Sequence, residues 1–251
     1  GDNYPFPDRI LIHIEKIVHD YLMKELCTNK EFNTPFDVFS VEGGTAAMCY
    51  IFDSLVANSL LNPGDKIALM TPIFTPYLEI PHLPHYNFDV INIHANEVDN
   101  EGNPTWQYPK EELEKLKDKN IKVVFVVNPN NPASIALSKE CKDNLKTIVE
   151  NHNPNLMIIT DDVYCTFVDN FSSLIVDIPY NTLAVYSLSK YFGVTGWRLG
   201  AIILNQDNIF NKLIKELPKE TKERLHERYK HLSLKPENLS FMDRMVADSR
   251  Q

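Results

Sequence analysis

The stretch Val123-Val124-Phe125-Val126-Val127 is an unbroken run of β-branched and aromatic residues, with no polar side to turn towards water. A strand of that kind has to be covered on both faces, which is the condition of an inner strand in a parallel sheet. A second apolar run, residues 156–160, ends at Asp161 and repeats the signal. Between the two runs, Leu145, Ile148 and Val149 keep helical spacing behind Ser138, a residue suited to capping a helix start. Further strands are expected at residues 37–41, 66–70, 88–93, 182–186 and 199–204. Helices are expected at about residues 7–27, 46–61 and 109–117. Strands and helices alternate almost throughout. The pattern predicts an α/β fold with a mostly parallel central sheet and helices on both faces.

A length of 251 residues accommodates one large α/β domain or two small ones. No repeat or flexible linker divides the chain, so residues 1–251 are read as one domain. After Leu204 the composition shifts. Residues 205–251 read as a mainly helical charged segment, with a solvated helical hairpin broken near Pro218. Its sparse apolar positions are Leu213, Leu217, Leu225 and Leu232, and Met242, Met245 and Val246 suggest a last helix. Gln251 falls inside a helix-like pattern, so a longer parent chain is expected.

Several classes are disfavoured. A formal net charge of −9 leaves no basic surplus for a dedicated nucleic-acid binder. No apolar run approaches the ~20 residues that span a bilayer. Residues 1–7 lack the regions of a signal peptide. Cys27, Cys49, Cys141 and Cys165 fit neither a zinc motif nor a disulfide framework, and the histidines have no metal-ligand spacing. Reduced thiols in a cytoplasmic protein without a metal are the expectation.

The chemistry-bearing residues fall after strands, where ligands collect in sheets of this kind. Gly43-Gly44-Thr45 opens a helix with backbone amides and a hydroxyl for an anion, although alone it reads equally well as a turn. Asn128-Pro129-Asn130-Asn131-Pro132 offers amides to a phenolate, or is simply a proline-fixed loop. Asp161-Asp162-Val163-Tyr164 puts a carboxylate beside a buried core, where it can hold a ring nitrogen protonated or serve as a cap. Ser187-Leu188-Ser189-Lys190 places an amine among hydroxyls, with Arg198 and glycines following. A lysine amine condenses with aldehydes, and serine and arginine hold phosphate.

These four segments, in this order, resemble the fold-type I enzymes dependent on pyridoxal 5'-phosphate (PLP), in particular the aspartate aminotransferase group. Asn131-Pro132 is similar to that group's Asn-Pro-Thr-Gly motif, with Ala133-Ser134 replacing its last two residues. Asp161 with Tyr164 resembles its Asp-x-x-Tyr motif, and Ser187-x-Ser189-Lys190 with Arg198 its Schiff-base motif. The resemblance implies that Lys190 would carry the cofactor's aldehyde as an imine and that Asp161 would pair with the pyridine nitrogen. It implies Asn131 and Tyr164 on the ring's 3-oxygen, and Gly43, Gly44, Thr45, Ser187 and Arg198 around the phosphate, with Ser189 in the same motif. Phe74 occupies the place of an aromatic that stacks on the ring. In the same family, Thr71-Pro72 and Asn131-Pro132 resemble positions that are often cis, and at least one is expected to be.

Residues 41–53, 70–77 and 244–250 look closer still to one branch, the aspartate 4-decarboxylases, whose members also transaminate aspartate. That likeness runs from Tyr4 to the end of the chain and includes the charged segment after Leu204. It implies decarboxylation of L-aspartate to L-alanine and carbon dioxide, with aminotransferase side activity. It also implies a homodimer or larger homo-oligomer, and an N-terminal arm and C-terminal small domain outside this chain. The arginine for the substrate's α-carboxylate would lie in that small domain, so the chain alone is not expected to turn over. Two other readings stand beside this one. One is a plain aminotransferase of dicarboxylic or other amino acids; the other is a non-catalytic α/β binding domain that has kept a cofactor pocket.

Overall fold

The computed structural model describes residues 9–10, 12–28 and 35–250. Helix α1 (Ile12–Leu26) leads to strand β1 (Phe36–Val41) and helix α2 (Gly44–Ala57). Next come β2 (Lys66–Thr71), the single turn α3 (Pro76–Glu79), β3 (Asp89–His94) and the short α4 (Lys110–Leu113). The middle of the chain runs through β4 (Ile121–Val127), α5 (Lys139–Asn151), β5 (Met157–Asp161), α6 (Leu174–Asp177) and β6 (Thr182–Ser187). Then follow β7 (Gly200–Asn205), α7 (Ile209–Glu216), α8 (Lys219–Tyr229) and α9 (Phe241–Asp248). The helix expected from Pro7 begins at Ile12, and its first residues lie outside the described ones.

The strands form a seven-stranded sheet in the order β1-β7-β6-β5-β4-β2-β3. All neighbours are parallel except those of β7, which runs antiparallel to both β1 and β6. The exception has a simple cause. Residues 188–199 carry only the 3-10 turn Thr195–Trp197, with no crossover helix to bring the chain back in the same direction.

Alternation along the inner strands feeds two opposite cores. Val123, Phe125 and Val127 face one side with residues of α2, α7 and α9. Val124 and Val126 face the other with residues of α4, α5 and α6, while Leu22 and Leu26 of α1 cover the β1, β6 and β7 end. Ser138 caps α5 as expected, accepting the Cys141 N–H at 3.1 Å. The helix expected over 109–117 is instead α4 followed by a 3-10 turn, Glu114–Lys117. Pro109 stands outside it in extended conformation, and Asp118 stops it by accepting the Asn120 N–H at 2.9 Å.

The charged segment is only partly the solvated hairpin its composition suggests. The break at Pro218 is present, but Ile209, Phe210 and Ile214 of α7 are buried in the main core, as are Phe241, Met242, Met245 and Val246 of α9. Counting charges hid Ile209, Phe210 and Ile214, whereas the last helix marked by Met242, Met245 and Val246 is present. α8 fits the solvated description better, with Leu225 and Tyr229 its buried residues.

Asp248 ties this segment to α2. It accepts from Ser54 Oγ at 3.0 Å, Tyr229 Oη at 2.9 Å and Arg228 Nη2 at 2.8 Å. Arg244, 2% exposed, donates to the carbonyls of Leu239 and Pro236 and lies 4.9 Å over the Tyr229 ring. Both residues belong to the 244–250 stretch that stood out in the sequence, and here they hold helices together.

Candidate active site

The parallel strands end at one edge of the sheet, and β7 begins there, since Val41 and Ser187 both pair with Gly200. Everything that follows β1, β2, β4, β5 and β6, and everything that precedes β7, is therefore delivered to the same place. A cavity of about 220 Å³ opens at this edge. Its walls include Gly44, Thr45, Phe74, Asn131, Asp161 and Tyr164. Ser187, Ser189, Lys190 and Arg198 complete the expected set. Gly43 adjoins it: its backbone has φ 90°, and a Cβ there would stand 2.3 Å from Arg198 Nη2. Only glycine tolerates both that torsion and that approach.

Each wall has a local reason. Asn130 is fully occupied, donating to the Pro72 carbonyl at 2.7 Å and accepting the Ala133 N–H at 2.9 Å. Asn128 accepts the Leu137 N–H. Of the three asparagines, Asn131 is the one lining the cavity. Thr71-Pro72 and Asn131-Pro132 are both cis, as is Asn128-Pro129, which was not anticipated.

In the loop after β6, the Ser189 N–H donates to Ser187 Oγ, and Thr195 Oγ1 donates to the Ser189 carbonyl, both at 3.3 Å. Arg198, in left-handed conformation (φ 52°), donates to the Thr195 carbonyl at 2.9 Å and to the Glu42 carbonyl at 3.1 Å. The guanidinium is thus fixed with donors to spare. Lys190 is exposed, and its Nζ has no hydrogen-bond or ion-pair partner among the described residues.

Asp161 and Asp162 point to opposite sides of β5, as neighbours on a strand must. Asp161 lines the cavity and is 5% exposed. Burial pushes its carboxyl above the ordinary range, while donation from Tyr77 and from the Val163 N–H acts to lower it. Asp162 is fully buried between Thr160 and Ser173, both of which donate to it. Burial pushes it up from 3.8 to about 7.

The sign of the stability effect follows. Below about pH 4 the group is protonated both folded and unfolded, so it costs nothing. As pH rises towards about 7, only the unfolded chain ionises freely, and about 4 kcal/mol of stability is lost. Asp162→Asn should remove this slope, measured as unfolding free energies in urea at pH 5 and pH 8. Equal slopes in parent and variant would contradict the assignment.

The structure adds residues that were not anticipated: Tyr77, Thr195, Val163 and Val127. Tyr77 was findable. Pro76 marks a helix start, and three-residue spacing from Phe74 puts both rings on one side, where they meet edge to face at 5.5 Å.

Residues 26–226 match the family described as aminotransferase class I and II. The chain belongs to that family. Across 250 residues, all of this chain, it is 48% identical to a bifunctional aspartate aminotransferase and L-aspartate beta-decarboxylase from Pseudomonas sp, of which it covers 46%. It therefore spans about half the length of the curated aminotransferases it matches.

Solved structures share its fold. Alanine aminotransferase from Pyrococcus furiosus superimposes with a TM-score of 0.65 at 21% identity, covering 98% of this chain and 56% of that one. Cystalysin from Treponema denticola, a structure containing PLP, gives 0.60 at 17% identity, covering 98% and 58%.

PLP is the cofactor of class I and II aminotransferases, and the cavity fits it chemically. An amine, a buried carboxylate, a fixed guanidinium and an aromatic ring converge there. Ser189 Oγ is buried without a partner, an acceptor or donor waiting for a polar group. Among the described residues, no cluster of three or more histidine, cysteine or acidic side chains is placed to hold a metal.

Proposed function

We propose that the protein containing this chain decarboxylates L-aspartate at its β-carboxylate, giving L-alanine and carbon dioxide, and transaminates aspartate as a side activity. The likeness to the bifunctional Pseudomonas enzyme, unbroken over the chain, carries this choice of substrate and reaction.

PLP, when bound, supplies an aldehyde for amines and a protonated ring that withdraws electrons. The chain's residues do the rest. Lys190, unpartnered and exposed, is free to bond the aldehyde carbon and, once released, to move a proton at the substrate's Cα. Asp161 would pair with the ring nitrogen and keep its proton in place. Asn131 and Tyr164 would hydrogen-bond the ring's 3-oxygen, and Phe74 would cover a ring face. Gly43, Gly44, Thr45, Ser187, Ser189 and Arg198 would hold the phosphate, where a bidentate guanidinium outweighs a neutral donor.

On this reading residues 1–251 form the cofactor-binding large domain, with 205–251 a mainly helical part of it. The N-terminal arm and the small domain that binds the α-carboxylate lie outside, and the chain alone does not turn over. Phe167, Tyr191, Phe192, Trp197 and Leu199 are exposed apolar side chains, most of them in the loop that carries Lys190 and Arg198, and they are consistent with a homo-oligomer. No described helix is long and apolar enough to cross a membrane, and a cytoplasmic location fits Cys49, Cys141 and Cys165, which form no disulfide.

Product analysis of the full-length protein with aspartate tests the reaction. Alanine with carbon dioxide supports decarboxylation. Oxaloacetate without alanine would replace that reading by a plain aminotransferase. The non-catalytic alternative is disfavoured by the convergence of Lys190, Asp161, Asn131, Tyr164 and Arg198 on one cavity.

A further inference from the structure

Tyr77 stands on α3, one helical turn beyond Phe74, and is 2% exposed. Its hydroxyl donates to Asp161 Oδ2 at 2.5 Å. Asp161 Oδ1 accepts the Val163 N–H at 3.1 Å. Two donors thus pin the carboxylate, one on each oxygen, and each oxygen keeps acceptor capacity for something in the cavity. The Tyr77 N–H in turn donates to the Phe74 carbonyl at 2.9 Å, so one short turn carries both the aromatic that borders the cavity and the group that orients its carboxylate.

We propose that Tyr77 is a positioning residue of the active site, whose hydroxyl fixes the rotation of Asp161 and favours its ionised form opposite the protonated ring nitrogen of PLP. This rests on the cofactor reading above. A carboxylate in so dry a place takes up a proton unless donors compensate, and a neutral acid no longer holds a proton on the ring. Tyr77 is the stronger compensating donor at Asp161, ahead of the Val163 amide. Its own hydroxyl is pushed well above the ordinary range by burial and by Asp161, so it stays a donor across the working pH range. The other titratable or charged groups near this pair are Lys190, Arg198 and Tyr164 on the cavity wall, Asp162 just after β5 and Cys49 on α2.

The test uses the full-length enzyme and Tyr77→Phe, which keeps the ring and its contact with Phe74. Apoenzyme is titrated with PLP, and the pH midpoint of the bound cofactor's visible band is recorded. The variant should bind PLP about tenfold more weakly, shift that midpoint and lose about tenfold in kcat, with KM for aspartate within about twofold. In an Asp161→Asn background the same substitution should leave the band's pH behaviour unchanged, which a purely structural role of Tyr77 would not predict. An unchanged affinity, midpoint and kcat in Tyr77→Phe overturns the proposal while leaving the cofactor reading intact. A parent enzyme that forms no visible band with PLP overturns both.

Discussion

Replacing Lys190 with alanine in the full-length enzyme is expected to lower turnover of aspartate by at least about 10³-fold and to abolish the visible absorption band of the lysine-bound cofactor. Positioned proton transfer alone contributes about 10² to 10⁴-fold, and on the proposed function the same amine would also be the nucleophile. Stability should stay within about 0.5 kcal/mol of the parent, because the side chain is exposed and its Nζ makes no contact that folding would lose. That separation of effects is the useful part: a catalytic collapse without a shift in the unfolding midpoint points to chemistry. A variant that keeps the band would remove Lys190 from its proposed role, whatever its residual activity.

Asp248→Ala should act in the opposite way, on folding first. Its carboxylate, 4% exposed, is the shared acceptor for Arg228, Tyr229, Ser54 and Asn58. Removing it strands the guanidinium and several buried donors. Each buried donor left unsatisfied, among Tyr229, Ser54 and Asn58, costs about 1–3 kcal/mol, while the exposed Arg228 adds little. Against a typical total of about 5–15 kcal/mol, that brings the protein close to unfolding at room temperature. Urea denaturation of parent and variant measures the difference. A loss below about 1 kcal/mol would mean that the network is worth little more than an exposed ion pair.

Much of the architecture was readable because it depends on local pattern. The runs around Val123–Val127 and at 156–160 became inner strands since such segments have no stable place except between two layers. The site was readable for a related reason. Its residues follow strands directly, so ordering the strands in a parallel sheet already gathers them at one edge.

Other features needed the folded chain. The antiparallel return of β7 follows from a missing helix, which no residue announces. Burial of Ile209, Phe210 and Ile214 depends on where α7 docks, and a charged composition masked it. The distinction between Asn130 and Asn131 rests on which amide the Pro72 carbonyl claims. Tyr77 was passed over because its partner, Asp161, arrives from a distant strand.

The Gly43–Arg198 contact joins stretches that lie far apart along the polypeptide, one near its beginning and one late. β1 reaches the sheet only through β7, so this part of the pocket exists only while that pairing holds. A molecule held by both sides would act as a clasp on the closure, stabilising the folded chain by an amount that grows with the logarithm of its concentration over its dissociation constant. Vitamin supply would then govern how long the fold endures as well as how fast it works.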